Sequence, residues 1–182
     1  MKPALMFIIS TVAQLFLFVL LLRFWLPWLR ADFRNPIAQG ILRLTSPVVI
    51  PVRRMIPSID RLDTATMLVA FGLQYLTIFL ILGIDGKVAG IAPIAITSLI
   101  ELILLSLKLF SFAIFIHIIL SWIAPGTYNP ATAFITTLVH PLLRPIRNRL
   151  PPLGGLDLSP LVVIILLQAL TIFFSTLKPP LI

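Results

Sequence analysis

The sequence predicts an all-α membrane protein with four transmembrane helices, arranged as two parallel tandem repeats that each carry a short interfacial amphipathic helix. Three observations predict this fold: an apolar composition, four apolar runs long enough to cross a bilayer, and a pattern that recurs 94 positions later. Hydrophobic residues make up 59% of the chain and charged residues only 11%, and the mean hydropathy is +1.11. Soluble domains carry about 25% charged residues, so a bilayer is needed to cover the apolar surface of this chain.

The repeat is continuous over a long stretch. Residues 35–79 and 129–173 align without a gap and are identical at more than a third of their positions. The period is too long for a solenoid, whose units span about 20–50 residues, and it indicates two copies of one membrane unit. We therefore divide the chain into a first repeat, 1–82, an outward-facing connecting loop, 83–96, and a second repeat, 97–182.

Four apolar runs satisfy the length of about 20 residues that a helix needs to cross the hydrocarbon core. They are residues 3–22, 64–82, 99–122 and 159–177. The first run resembles a signal peptide in position only, because it is too long and aligns with the third run. We interpret it as a retained span.

The basic residues predict the topology. Nine arginines lie in the two loops within the repeats, whereas the opposite side holds only Lys2, Lys87 and Lys178. Arginine-rich short loops stay in the cytoplasm. We expect a multipass protein of the bacterial cytoplasmic (inner) membrane with both termini outside and both arginine-rich loops cytoplasmic.

The cytoplasmic segments, 35–57 and 129–151, share a duplicated motif. Each begins with Asn-Pro, which predicts a helix N-cap followed by proline at the first helical position, and apolar residues then follow at helical spacing. We expect short helices in the membrane interface, ended by proline and followed by extended, proline-bracketed segments. The motif residues are Asn35, Pro36, Pro47, Pro51 and Asp63, repeated as Asn129, Pro130, Pro141, Pro145 and Asp157; the prolines expected to end the helices are Pro47 and Pro141.

Arginines in these segments are the candidate binding residues. Near an anionic leaflet each arginine contributes about 1 kcal/mol of attraction, which predicts contact with anionic phospholipids. The same guanidinium groups would also serve as a docking site for an acidic membrane-protein partner, and a phosphorylated substrate is the least supported option. The residues are Arg53, Arg54, Arg144, Arg147 and Arg149.

Asp63 and Asp157 precede the second and fourth spans. The simplest interpretation is a helix N-cap favoured by the helix dipole. Each aspartate also follows an arginine by ten residues, Arg53 or Arg147. An Arg–Asp pair that clamps each proline segment to the next helix is therefore a second hypothesis.

Polar residues inside the predicted spans have two interpretations. Lys108 snorkels outward, Arg23 and His117 reach the headgroups and the glutamines join helices, or a polar line between the halves serves ions or a cofactor. Glu101 and Lys108 lie seven residues apart on one helix face, and Arg23 takes the place of His117 in the repeat. The intramembrane polar set is Gln14, Gln74, Glu101, Lys108, His117 and Gln168.

Catalysis has little support in the sequence. No metalloprotease, serine-hydrolase, phosphate-binding or paired-carboxylate motif occurs, and the chain has no cysteine. We expect no enzyme activity, no metal and no cofactor. Nucleic-acid binding is also not expected, because the basic residues flank apolar runs and do not alternate with stacking aromatics.

The duplicated pattern resembles the YggT family, whose plant and cyanobacterial members are called YlmG. The clearer copy is HPLLRPIR at 140–147, LP at 150–151 and GGLDLSP at 154–160; the first copy has SIDR in place of the Gly-Gly turn and TAT in place of LSP. The resemblance covers nearly the whole chain. It implies a small multipass protein, bacterial in its two-repeat form, with relatives tied to osmotic or potassium homeostasis, cell division and shape, and plastid haem attachment and nucleoid distribution.

Two functions from different classes follow. The first is a non-enzymatic assembly or scaffold factor for membrane complexes of division, shape, or respiratory and cofactor assembly, which binds lipid and an unidentified membrane protein. The alternative is a transport-linked protein in osmotic or potassium homeostasis that works through Glu101 and Lys108. Four helices offer little interior, so we expect a homo-oligomer or a larger assembly in either case.

Overall fold

The computed structural model describes residues 1–56, 58, 62–123, 129–149 and 157–181. Within these ranges the regular structure consists of six helices. In chain order they are α1 (Lys2–Trp28), α2 (Pro36–Met55), α3 (Thr64–Asp85), α4 (Ile91–Ile123), α5 (Pro130–Arg147) and α6 (Ser159–Thr176).

Four of the helices, α1, α3, α4 and α6, are long and apolar enough to cross a membrane. They have large apolar side chains on their outer surfaces, among them Phe79, Phe115 and Phe173, each more than half exposed. Exposed apolar surface of this extent is what lipid-facing helices require. The described residues therefore form a helical protein with four candidate membrane spans.

The spans pack as two pairs, α1 on α3 and α4 on α6, with α4 also contacting α1 and α3. Trp25 of α1 packs edge-on against Phe110 of α4, with ring centroids 5.1 Å apart, and its Nε1 donates to Ser106 Oγ at 3.3 Å. The main apolar core surrounds this contact and includes Leu21, Leu109 and Phe134. The largest core thus lies between the two halves of the chain.

The two helices that are not candidate spans, α2 and α5, pack against the spans of their own halves. Helix α2 contacts α1 and α3, and α5 contacts α4 and α6. Each buries one face: Ala38, Ile41, Thr45 and Val49 in α2, and Phe134, Leu138, Val139 and Leu143 in α5. Helix α2 also contacts α5, so the two halves meet at these helices as well.

The predicted N-caps of α2 and α5 are present. Asn35 Oδ1 accepts from the Ile37 amide at 2.9 Å, and Asn129 forms a capping box with Thr132. Helix α3 is capped by Asp63 and ends at Gly86, whose φ of 78° is the left-handed conformation that glycine adopts without strain. The connection between the halves is shorter than the predicted 83–96, because α3 and α4 extend into it and leave only residues 86–90.

The prediction that Pro47 and Pro141 end the short helices is wrong. Helix α2 continues to Met55 and α5 to Arg147, so the segments predicted to be extended are helical up to these two residues. Pro47, Pro51, Pro141 and Pro145 are all exposed. Proline deprives the carbonyl four residues earlier of its helical partner, and on an exposed face that carbonyl is open to other donors. Burial of the opposite face then outweighs the low helix propensity of proline.

Some predicted motif residues lie outside the described ranges. They are Pro57, Arg61, the Leu150-Pro151 pair and the Gly-Gly pair at 154–155.

Candidate functional site

Both Arg–Asp pairs that the spacing predicts are present. Arg53 Nη2 contacts Asp63 Oδ2, and Arg147 Nε lies 2.6 Å from Asp157 Oδ2. Each pair joins the C-terminal end of a short helix to the start of the next span. The clamp hypothesis is therefore confirmed as a structural arrangement in both halves.

In the first half the Arg–Asp pair is extended by Arg23 of α1. Arg23 is only 3% exposed, and its Nη1 donates to Thr45 Oγ1 at 2.8 Å and to Ser46 Oγ at 3.2 Å. Its Nε lies 3.7 Å from Asp63 Oδ2. The expectation that Arg23 reaches the headgroups is thus wrong, because its guanidinium is buried among α1, α2 and Asp63.

Asp63 is the centre of this first cluster. It is 4% exposed, contacts both Arg23 and Arg53, and accepts from Thr66 Oγ1 at 2.6 Å. A buried carboxylate is stable only when it is paired and hydrogen-bonded. The first cluster meets this condition with two guanidinium groups and a hydroxyl.

The second cluster has the same pair in a more open setting. The side chains of Arg147 and Asp157 are 39% and 40% exposed. Asp157 Oδ1 accepts from the amide of Ser159 at 2.9 Å and from its hydroxyl. Asp157 is not at the N-cap position of α6, which Leu158 occupies without a side-chain cap, but it does accept from a first-turn amide.

The hydrogen bonds of Asp157 alter its acidity. Burial favours the neutral acid, but the Ser159 hydroxyl and amide and the Arg147 guanidinium favour the carboxylate more strongly, so the pKa of Asp157 lies below its ordinary value of 3.8. Asp157 therefore remains ionised at neutral pH.

His117 occupies the place of Arg23 in the second half. It makes no hydrogen bond within the described residues, and it lines a cavity of about 440 Å³ together with Arg147 and Asp157. The repeat register predicts that Arg23 and His117 are equivalent. The register does not indicate that Arg23 is buried in an ion pair or that His117 lines a cavity.

The remaining candidate arginines, Arg54, Arg144 and Arg149, are exposed. No carboxylate lies within ion-pair distance of them in the part of the chain that the structure describes. They lie at or just beyond the C-terminal ends of α2 and α5. Among the described residues, two of the five candidate arginines thus have a carboxylate partner and three have none.

The intramembrane polar residues do not form one continuous line. Glu101 pairs with Lys178 at 2.6 Å and not with Lys108, which is exposed on the outer surface of α4. Gln14 and Gln168 are also exposed, and Gln74 is half-buried. None of the three glutamines makes a hydrogen bond in the described ranges, so the structure does not show them joining helices.

Four apolar spans, two short helices packed across them and two Arg–Asp clusters define a helical multipass membrane protein. The family model CCB3/YggT matches the chain twice, at residues 3–84 and 96–177. The chain belongs to the CCB3/YggT family.

Relatives of this chain cover most of its length. An uncharacterized protein of Pseudomonas aeruginosa is 42% identical over 170 residues, which are 92% of this chain and 86% of that protein. The uncharacterized protein YggT of Escherichia coli K12 is 36% identical over 165 residues, 90% of this chain and 85% of the relative. YlmG homolog protein 2, chloroplastic, of Arabidopsis thaliana is 35% identical over 68 residues, 36% of this chain and 26% of that protein. No solved structure matches this chain.

Proposed function

We propose that this protein is a non-enzymatic assembly or scaffold factor for complexes of the bacterial cytoplasmic membrane. The observation that carries the proposal is the division among the candidate arginines. Arg53 and Arg147 are held by Asp63 and Asp157, whereas Arg54, Arg144 and Arg149 are exposed without a carboxylate partner among the described residues. Guanidinium groups that are free at a membrane surface attract anionic lipids and acidic protein segments.

The proposed topology places these arginines in the cytoplasm. Nine arginines in the two segments that hold α2 and α5 oppose three lysines at the other ends of the spans. The Lys178–Glu101 pair joins the segment after α6 to the first third of α4, so these two spans run antiparallel, as the proposed topology requires.

In this topology α2 and α5 lie in the cytoplasmic interface. Helix α2 buries Ile41, Thr45 and Val49 against the spans, while Leu44 and Val48 are 67% and 45% exposed. Apolar side chains beside exposed arginines suit the boundary between acyl chains and headgroups. In this proposal Arg54, Arg144 and Arg149 lie at headgroup depth.

The arginine-bearing ends of α2 and α5 are far from the contact between these two helices. The helices meet at their N-terminal ends, where Asn35 contacts Pro130. From Asn35 to Arg54 a helix rises about 28 Å at about 1.5 Å per residue. A protein that displays two separate basic sites, one per half, is suited to hold partners together.

The transport-linked alternative has less support. It requires Glu101 and Lys108 to act together, but Glu101 pairs with Lys178 and Lys108 is exposed on the outer surface of α4. Liposomes that contain the purified protein test this alternative by potassium or proton flux. A flux that Lys108→Leu abolishes would support transport and contradict the scaffold proposal.

Site-specific photo-crosslinking in native membranes tests the scaffold proposal. A probe beside Arg144 should give discrete protein adducts, and the variant R54Q/R144Q/R149Q should lose them. The matched control R30Q/R34Q/R43Q removes the same charge from the same predicted side of the membrane and should retain them. Equal loss in both variants would show a general charge effect, and no adducts in the unchanged protein would contradict docking.

A further inference from the structure

A cavity of about 440 Å³ lies between the C-terminal end of α4 and the N-terminal end of α6. The cavity has a polar and an apolar lining. The polar groups come from His117, Ser121, Arg147 and Asp157, and the apolar groups come from Ile118, Trp122, Leu161 and Ile164. Trp122 is 78% and Leu161 57% exposed. An amphiphilic ligand fits such a surface, with its polar group at the ion pair and its apolar part along the spans.

In the first half the equivalent position holds Arg23, whose side chain is longer than that of His117. There the guanidinium of Arg23 lies 3.7 Å from Asp63, and the carboxylate is only 4% exposed. In the second half the shorter His117 stands at the position of Arg23, and the Asp157 side chain is 40% exposed. At the equivalent positions, the first half thus holds a buried cation, and the described residues of the second half leave a cavity.

The charges differ in the same way. Asp63 contacts two guanidinium groups, those of Arg23 and Arg53. Asp157 contacts one, that of Arg147, among the described residues. Compared with the first cluster, the second therefore lacks one cation. That cation would lie on the cavity side of the Asp157 carboxylate and donate hydrogen bonds to it.

We propose that the cavity binds a phospholipid with a primary-ammonium headgroup, of the phosphatidylethanolamine type. The ammonium replaces the missing guanidinium at Asp157, and the phosphate receives hydrogen bonds from the Arg147 terminal nitrogens, since Nε is held by Asp157. The Ser121 hydroxyl lies on the same cavity wall. The acyl chains lie along Leu161 and Ile164 of α6. This helix is long enough to span the bilayer, which supplies the lipid.

A lipid accounts for the apolar wall better than a basic side chain of a protein would. Leu161 and Ile164 belong to a span, so the apolar side of the cavity opens along a membrane helix. This inference does not rest on the scaffold role, because it concerns Asp157 and His117 and not Arg54, Arg144 or Arg149.

Lipid-dependent thermal unfolding of the full chain in detergent tests the proposal. We expect phosphatidylethanolamine at saturation to raise Tm by about 2–4 °C. Phosphatidylcholine, whose quaternary ammonium cannot donate a hydrogen bond, and phosphatidylglycerol, which has no cation, should raise it by less than half as much. Native mass spectrometry of the same samples should show one retained phosphatidylethanolamine per chain.

Two variants connect the effect to the cavity. His117→Arg supplies the side chain that the first half uses and should abolish the phosphatidylethanolamine-specific shift while the protein remains folded. Asp157→Asn should also abolish it. Asp63→Asn is the matched control: it changes the equivalent carboxylate, lowers the starting Tm and leaves the lipid-dependent shift intact.

Three results would overturn the proposal. Equal shifts with all three lipids would show that the headgroup amine is not recognised. An unchanged shift in His117→Arg would place the lipid elsewhere. Protein adducts from a photoprobe at Trp122, with no lipid retained, would identify a protein segment as the occupant.

Discussion

The side-chain amide of Asn35 donates to the carbonyl of Pro130 at 2.7 Å, and so joins the two halves at the Asn-Pro motif that they share. The same side chain caps its own helix, since Oδ1 accepts from the Ile37 amide at 2.9 Å. Asn129, its equivalent, forms a capping box with Thr132 instead. One copy of the motif therefore has both a local and a long-range role, and the other copy has a local role.

Asn35→Asp should weaken the contact between the halves. Aspartate keeps the cap but cannot donate to Pro130, so we expect a loss of about 1 kcal/mol in the free energy of unfolding. Asn129→Asp is the control, because its capping box needs only acceptor oxygen and should lose less than about 0.5 kcal/mol. Equal losses in equilibrium unfolding in detergent would show that the Asn35–Pro130 bond adds no stability.

Arg23→Leu should destabilise the protein far more than His117→Leu. Removal of Arg23 leaves Thr45 without its donor and Asp63 with one guanidinium in place of two. Breaking a buried ion pair costs about 3–5 kcal/mol. His117 makes no hydrogen bond in the described residues, so its replacement should cost about 1 kcal/mol or less. Thermal unfolding of both variants checks the difference, and similar Tm losses would contradict the buried role of Arg23.

Acid should remove the stabilising contribution of Asp157. Its pKa in the folded protein is below the ordinary 3.8, so the contribution is fully present above that value and is lost as pH falls through the folded pKa. The Tm difference between the unchanged protein and Asp157→Asn should be constant from pH 7 down to about pH 5 and should shrink below about pH 4. A difference that shrinks already between pH 7 and pH 5 would contradict the lowered pKa.

Pro47→Ala should stabilise α2. The helix continues through this position, and alanine restores the amide that the Arg43 carbonyl lacks. We expect a gain of about 1 kcal/mol, since the helix propensity of alanine outweighs its greater freedom in the unfolded chain. Pro36→Ala is the control and should change little, because proline at the first helical position costs no hydrogen bond. A loss of stability in Pro47→Ala would indicate an extended segment.

Features with a local cause were predictable from the sequence. The caps at Asn35 and Asn129 follow from residue type and position. The Arg–Asp pairs were predictable because the same ten-residue separation occurs in both halves. The four spans follow from length and apolarity alone.

Features that depend on packing were not predictable. Helix α2 continues through Pro47 because its opposite face is buried. Local helix propensity gives no information about burial. Arg23 meets Thr45 and Asp63 only because α1, α2 and α3 converge, and its position at a helix end suggested headgroup contact. The partner of Glu101 is Lys178, which is 77 residues away in the chain, so helical spacing pointed to Lys108.

The prolines of α2 and α5 limit how deeply these two helices can lie in the membrane. In each helix two prolines lie four residues apart. They leave the carbonyls of residues 43 and 47 in α2, and of residues 137 and 141 in α5, without the helical amide that would donate to them. Pure hydrocarbon offers these oxygens no donor. Wherever this protein lies, these faces of the two helices must therefore reach water or headgroup donors, so neither helix can sink completely among the acyl chains.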